Sequence, residues 1–267
     1  MLGNPVAHSL SPQIHAAFAA QTGQSMSYDR LLAPLAGFAS VLRSLIDGGA
    51  RGANITVPFK VEAHALATTL TERAQAAGAV NTLRFDGAEI YGDNTDGVGL
   101  VRDIVDNGGL DLQGKRILLL GAGGAARGVL LPLLNLQPAQ LVIANRNAAK
   151  ALDLAAQFSS QGSIEAIGLA ALGGRFDLII NATAASLANA MPAVSAQLFG
   201  AHTLAYDLMY GAQPTVFLRF ATQQGAATRD GLGMLVEQAA EAFFVWRGVR
   251  PATASVLAGL RATLQGY

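Results

Sequence analysis

Cysteine is absent from the 267 residues, which excludes disulfides, thiolate nucleophiles and sulfur-ligated metal sites. The four histidines show no metal-ligand spacing. Charge is also scarce: 13% of the chain is charged, and 18 basic residues balance 18 acidic ones. Such a balance leaves no electrostatic footprint for nucleic acid or an anionic membrane, so a small molecule is the expected partner. Long uncharged stretches occur, as from Gly128 to Asn145, but Pro132, Asn135, Gln137, Pro138 and Gln140 interrupt that one, and no membrane span is expected. The start, Met1-Leu2-Gly3-Asn4-Pro5, lacks the basic region and apolar core of a secretory signal, which points to the cytoplasm. No exposed apolar stripe demands a partner chain, so a monomer, or at most a weak homodimer, is expected.

What the chain does contain is most telling at Gly121 to Gly128, Gly-Ala-Gly-Gly-Ala-Ala-Arg-Gly, directly after the apolar run Ile117 to Leu120. A buried strand leading through glycines into a helix brings backbone N–H groups and a helix N-terminus up to a pyrophosphate. Gly121 makes the tight turn, Gly123 lets the backbone approach the phosphates, and Ala126 fills the third small position. A glycine-rich turn of another α/β protein shares these letters; the strand before them and the apolar helix Val129 to Leu134 favour the dinucleotide site.

The second strand of the unit, Leu141 to Ala144, selects the cofactor. A carboxylate at its end would receive the ribose hydroxyls of NAD, but the chain reads Asn145-Arg146-Asn147 with Lys150 one turn on. A guanidinium suits a 2′-phosphate because its planar fork binds phosphate oxygens bidentately. NADP is therefore expected.

Short apolar runs alternate with helical patterns from Lys115 to about Gly231, as in βαβ units around a parallel sheet. The spacing predicts strands at Arg116 to Leu120, Leu141 to Ala144, Phe176 to Ile180 and Leu204 to Asp207, and a helix over Ala149 to Ser159. Ahead of them it predicts helices over Pro12 to Thr22, Leu35 to Asp47 and Lys60 to Leu70, with a strand near Ala53 to Val57. Leu232 to Trp246 and Ala254 to Leu264 read as amphipathic helices that need another surface to cover. The expected fold is α/β: a Rossmann-type dinucleotide domain over residues 96–231, and a smaller α/β substrate domain over 1–95 completed by C-terminal helices 232–267. Substrate is expected between the two.

Polar clusters fall at the candidate turns. In His8-Ser9-Leu10-Ser11-Pro12, Pro12 suits a first helical position and Ser11 reads as an N-cap. Residues two apart in an extended segment face one side, so Ser9 and Ser11 equally suit one oxyanion. In Asn54 to Lys60, Pro58 ends a strand and Lys60 falls at a helix start, where a cation is unfavourable without an anion nearby. Asp96, in Gly92-Asp93-Asn94-Thr95-Asp96-Gly97, reads either as part of a turn or as the partner of Lys60. Ala79-Val80-Asn81-Thr82 is a further cluster.

Gly3 to Pro12, Asn54 to Lys60, Gly78 to Thr82, Gly92 to Gly97, Gly121 to Arg127 and Asp230-Gly231-Leu232-Gly233-Met234-Leu235 together resemble shikimate dehydrogenases, in order and over nearly the whole chain. The resemblance implies NADPH-dependent reduction of 3-dehydroshikimate to shikimate, on the route to aromatic amino acids. It implies Lys60 and Asp96 as the catalytic pair, and Ser9 and Ser11 on the substrate carboxylate with help from Tyr210. Thr56, Asn81 and Gln238 would line the ring hydroxyls. Gly121, Gly123, Gly124 and Ala125 would hold the pyrophosphate, Asn145, Arg146, Asn147 and Lys150 the adenosine phosphate, and Leu208 and Gly231 would lie near the nicotinamide. Alternatives are a quinate/shikimate dehydrogenase using NAD or NADP, which an acidic residue after the second strand would have favoured, and a non-catalytic NADP-binding regulatory module, whose mark would be loss of Lys60 or Asp96.

The chain departs from the family at several points. Only Met1 and Leu2 precede Gly3, where members carry a short apolar strand. A start upstream of Met1 is expected, since a chain beginning at Met1 should lose that strand and hold Ser9 and Ser11 less firmly. Asn147 stands where many members have threonine and Lys150 where some have arginine. Ala184-Ala185-Ser186 replaces a more hydroxyl-rich stretch.

Overall fold

The computed structural model describes residues 1–186 and 190–266, and it is mixed α/β. The first third opens with β1 (Leu2–Gly3), α1 (Ser11–Thr22), β2 (Leu31–Leu32), α2 (Phe38–Asp47) and β3 (Gly52–Asn54), then α3 (Lys60–Leu66), β4 (Thr69–Leu70), α4 (Glu72–Ala77), β5 (Thr82–Asp86) and β6 (Glu89–Asp93). Strands β3-β5-β6-β4 form one sheet and β1-β2 a small parallel pair, tied by a bridge from Leu2 to Ile55. A stub of the N-terminal strand is thus present: Leu2 and Gly3 pair with Leu31 and Leu32, and Thr56 N–H donates to Leu2 O at 2.9 Å. Leu2, Phe38, Leu42, Ile55, Phe59 and Leu83 fill the core beneath these strands.

Several boundaries differ from the sequence expectation for local reasons. The strand ends at Asn54 rather than Val57, and α3 stops at Leu66 because Ala67 is extended, freeing Thr69–Leu70 to pair with β6. The hairpin β5–β6 was not among the expected strands. Asp86-Gly87 is a strong turn signal, and Gly87 at φ +60° lets two residues close the loop. Leu10, not Ser11, occupies the N-cap of α1, so Ser11 is the first helical residue and its hydroxyl caps nothing.

The second lobe contains β7 (Arg116–Leu120), α6 (Gly124–Leu134), β8 (Gln140–Asn145), α7 (Ala148–Phe158), β9 (Ile164–Gly168), β10 (Leu178–Asn181), β11 (Leu204–Asp207), α8 (Val216–Gln223) and β12 (Ala227–Asp230). All six strands are parallel, in the order β12-β11-β10-β7-β8-β9. Ile117 to Leu120 are at most 1% exposed because helices cover both faces, as an uninterrupted apolar strand requires. Strand order reverses between β7 and β10, and an open α/β sheet has its ligand crevice at that switch point, beyond the C-terminal strand ends. This is a Rossmann-type arrangement. β9 and β12 were not among the expected strands; Glu165 and Arg229 break their apolar pattern.

One helix joins the two lobes. α5 (Asp96–Arg102) begins at the end of β6, continues through a wider turn at Asp103–Asn107, and lies between α6 and α9 (Leu232–Arg247). Glycine makes both crossings possible. A Cβ on Gly97 would stand 2.5 Å from Pro132 Cγ and 2.6 Å from Gly128 O, and one on Gly99 would stand 2.7 Å from Met234 O. α9 in turn covers α1 through Ile14, Phe18, Leu232, Val236 and Phe243, with α10 (Ala254–Gln265) behind it. The C-terminal helices therefore share a core with α1, from the first third of the chain. Among the described residues no helix is long and apolar enough to cross a membrane, and no cluster of His, Asp or Glu could hold a metal ion.

Candidate active site

Lys60 opens α3 and Asp96 opens α5, and the two side chains meet: Lys60 Nζ donates to Asp96 Oδ2 at 2.5 Å. The meeting is set up by backbone, since Val80 N–H donates to Lys60 O at 2.8 Å and Asn81 N–H to Asp93 O at 3.0 Å. A carboxylate at a helix N-terminus is favoured by the backbone dipoles there and a lysine is not. Asp96 thus has two reasons to stay where it is, and it is the anion with which Lys60 pairs. Asp96 is 9% exposed, and its second oxygen accepts from Asn81 Nδ2 at 2.8 Å.

The pair opens onto a cavity of about 150 Å³. Ser11, Asn54, Thr56 and Asn81 line it from the first lobe; Leu208, Tyr210 and Gly231 from the ends of β11 and β12; and Met234, Leu235 and Gln238 from α9. Gln238 Oε1 is 3.3 Å from Thr95 Oγ1, which holds its amide at the wall. Gly231 could not be any other residue, because a Cβ there would stand 2.1 Å from Leu208 O. That contact seals the floor between the lobes.

Ser9 lies just outside the lining. Its hydroxyl donates to Ser11 Oγ at 3.0 Å, close to Met1 Sδ at 2.9 Å, and its carbonyl accepts from Arg30 at 2.6 Å. The two serines are thus joined, and the buried Ser11 reaches the cavity. Sequence reasoning missed Asn54, which is 5% exposed and lines the cavity. The signal for it was present: an asparagine closing a buried strand needs side-chain partners, and it has them in Tyr28 and Thr82.

The turn from β7 into α6 belongs to the second lobe. Gly121 has φ +110° and approaches Ala182 O so closely that a Cβ would stand at 3.0 Å. Beyond it the surface is bare: a Cβ on Gly123 or Gly124 would meet no protein atom within 4 Å. Ala125 is exposed as well. The first N–H groups of α6 therefore face open space, a cradle fitted to a pyrophosphate.

At the end of β8, Arg146 and Lys150 are exposed, and neither forms an ion pair among the described residues. Asn145 Nδ2 donates to Asn147 O at 3.0 Å, and Asn147 Oδ1 accepts from Ala149 N–H at 3.1 Å as the N-cap of α7. Asn147 therefore holds the helix start, leaving its amide donors for a ligand. No carboxylate stands in this turn. These residues fit a dinucleotide with an extra phosphate on its ribose. Ser186 donates to Asp207 Oδ2 at 2.6 Å and accepts from Asn181 at 3.0 Å, which gives the departure at Ala184-Ala185-Ser186 a structural use.

Three family models match the chain: the shikimate dehydrogenase substrate binding domain at residues 1–83, shikimate/quinate 5-dehydrogenase at 100–193, and the shikimate 5′-dehydrogenase C-terminal domain at 231–260. The NADP(+) shikimate dehydrogenase of Herminiimonas arsenicoxydans is 64% identical, over 99% of this chain and 97% of its own. Among solved structures, an Ael1 enzyme from Pseudomonas putida superposes with a TM-score of 0.93 at 46% identity, covering 97% of this chain and 96% of that one. Shikimate 5-dehydrogenase of Thermus thermophilus, in complex with NADP(H) and shikimate, superposes with a TM-score of 0.89 at 35% identity, covering 98% of both.

Proposed function

The chain belongs to the shikimate dehydrogenase family, and from that premise we propose which of its residues carry the reaction. It is an oxidoreductase that reduces 3-dehydroshikimate to shikimate, reversibly and with NADPH, in aromatic biosynthesis. The single observation that supports the assignment of residues is the Lys60–Asp96 contact at 2.5 Å in the wall of the inter-lobe cavity.

Bound NADPH supplies the hydride. The chain's own residues supply position, electrostatics and the proton. Lys60, as the ammonium, stabilises the negative charge that develops on the substrate carbonyl oxygen and delivers the proton to it. Asp96 orients Lys60 and accepts from a neighbouring ring hydroxyl, holding the ring in a reactive pose. Ser9 and Ser11, with Tyr210, hold the carboxylate; Thr56, Asn81 and Gln238 hold the ring hydroxyls. Gly121, Gly123, Gly124 and Ala125 hold the pyrophosphate, while Asn145, Arg146, Asn147 and Lys150 hold the adenosine phosphate. Leu208 and Gly231 form the face against the nicotinamide.

We divide the chain at the same place: residues 1–95 with 232–267 bind substrate, and residues 96–231 bind NADP. We take a monomer, or at most a weak homodimer, as the working unit. We place the enzyme in the cytoplasm. The test is NADP reduction with shikimate and with quinate, on wild type and on Lys60→Ala, repeated with NAD. Shikimate-dependent reduction of NADP that collapses in the variant is expected; retention of turnover by Lys60→Ala would refute the assignment.

A further inference from the structure

An unbroken chain of hydrogen bonds runs from Tyr28, at the back of the substrate lobe, to Lys60. Tyr28 Oη donates to Asn54 Oδ1 at 2.7 Å, and Asn54 Nδ2 donates to Thr82 Oγ1 at 3.0 Å. Thr82 Oγ1 donates to Asn81 Oδ1 at 2.9 Å, Asn81 Nδ2 donates to Asp96 Oδ1 at 2.8 Å, and Asp96 Oδ2 receives Lys60 Nζ. Asn54, Thr82 and Asn81 are at most 5% exposed, and Asn54 and Asn81 also line the cavity.

The chain has one polarity. Asn54 Nδ2 also donates to the backbone oxygen of Asn81 at 3.2 Å, a group that can only accept. Asn81 Oδ1 also accepts from Thr95 N–H at 2.9 Å, a group that can only donate. Both amides are thereby held in one orientation. The Thr82 hydroxyl is the rotor between them; it accepts from Asn54 Nδ2, and its nearer acceptor is Asn81 Oδ1 at 2.9 Å, with Thr95 Oγ1 at 3.4 Å. At the far end Asn54 presents an oxygen, so Tyr28 must be a donor. Burial pushes its phenol pKa up, which keeps that proton in place.

Tyr28 is itself clamped. The ring of His15 stacks on it at 4.2 Å and 17°, with Trp246 at 5.2 Å from His15. His15 is fully buried, and neither of its ring nitrogens has a hydrogen-bond partner. It lies as a flat surface against the Tyr28 ring.

We propose that Tyr28 is a positioning residue for the reaction, acting through Asn54, Thr82 and Asn81 to hold Asp96 in the orientation that receives Lys60. The proposal rests on the assignment of Lys60 and Asp96 as the reacting pair. Linked hydrogen bonds in a low-dielectric interior strengthen one another, so losing the first donor weakens the grip on Asp96 several bonds away. Proton delivery by Lys60 then slows, while the residues proposed to hold the cofactor's phosphates, none of which lines the cavity, are untouched.

The test uses the full-length protein and three readouts: kcat, KM for NADP, and the solvent deuterium isotope effect on kcat. In Tyr28→Phe, kcat falls about tenfold, the equivalent of one buried hydrogen bond. The isotope effect rises above wild type and KM for NADP stays within about twofold. Loss of folded enzyme also lowers kcat but leaves the isotope effect where it was, and that result overturns the proposal. Thr82→Val breaks the same chain at its rotor and is expected to show the same signature, with Thr82→Ser restoring wild-type values; this series decides the matter if Tyr28→Phe folds poorly. Lys60→Ala is measured alongside. If it is inactive while Tyr28→Phe and Thr82→Val keep wild-type kcat and isotope effect, the positioning role is wrong and the reacting pair stands. If Lys60→Ala remains active, the reacting pair itself is wrong, and the proposal falls with it.

Discussion

Lys60 and Asp96 are each the first residue of a helix, and they face one another across 2.5 Å although 36 positions separate them in the chain. The lysine is placed where its own helix repels it and the aspartate where its helix holds it. Lys60 held against a fixed carboxylate, in the wall of the cavity, suits the proposed proton delivery. Replacing Lys60 with alanine is expected to lower kcat by about 10²–10⁴-fold, the usual worth of a positioned acid. KM for NADP should stay near wild type, because none of the residues proposed to hold its phosphates lines the cavity. Steady-state absorbance of NADPH at varied shikimate and NADP separates the two quantities.

The proposed adenosine-phosphate site includes Arg146 and Lys150, exposed and without ion-pair partners among the described residues at the end of β8. Each charge-assisted hydrogen bond to a phosphate is worth about 1.5–3 kcal/mol. Arg146→Ala should therefore raise KM for NADP by about tenfold to a hundredfold and leave KM for NAD almost unchanged. Equal losses with both cofactors would place Arg146 outside the phosphate site.

Gly123 separates the demands of the fold from those of the ligand. Its backbone has φ −93°, which any residue accepts, and a Cβ there meets no protein atom within 4 Å. Gly123→Ala should fold with an unchanged melting temperature and yet bind NADP at least about tenfold more weakly, a loss of roughly 1.4 kcal/mol. Calorimetric titration beside a thermal melt gives both numbers.

The junction between α5, β12 and α9 depends on Asp103, which is fully buried. It accepts two bonds from Arg229, at 2.7 and 2.8 Å, and one from Tyr206 Oη at 2.8 Å. Removing the guanidinium leaves a buried carboxylate stripped of its charged partner. Arg229→Ala is expected to cost about 3 kcal/mol of stability, and Gly233→Ala should also destabilise, since its Cβ would stand 1.9 Å from Asp103 Oδ1. Urea unfolding of both variants checks this.

Acid should weaken the fold through His15. Burial lowers its pKa from 6.5 to about 3, so between those values the unfolded chain binds a proton that the folded chain refuses. Stability then rises with pH across that window and is lost as pH falls, by at most about 1.4 kcal/mol per unit. His15→Phe, which keeps a flat ring beside Tyr28, should flatten the slope between pH 6 and pH 4 when unfolding is measured at each pH.

Much of this arrangement was legible in the chain. An apolar run that stops at glycines reads as a buried strand and a phosphate turn because both features depend on residues close in sequence. So does the basic turn after β8. Lys60 could be read as needing an anion, since the helix that disfavours it is local. The hairpin β5–β6 was legible at Asp86-Gly87 and was passed over. Tyr28, Thr82 and Asn54 were not legible as a unit. Nothing in their spacing couples a tyrosine before β2 to an asparagine ending β3 and a threonine starting β5.

By itself, the sequence determined the parallel sheet of the second lobe, the dinucleotide turn, the preference for a phosphorylated ribose and the types of residue available for chemistry, since propensity, periodicity and backbone freedom act over a few residues. Tertiary structure alone decided that Asp96 is the anion Lys60 meets, that Ser11 is free of capping duty, and that α5 can slide between α6 and α9 on Gly97 and Gly99. Those outcomes depend on which distant surfaces close over one another, and only the packed chain specifies that.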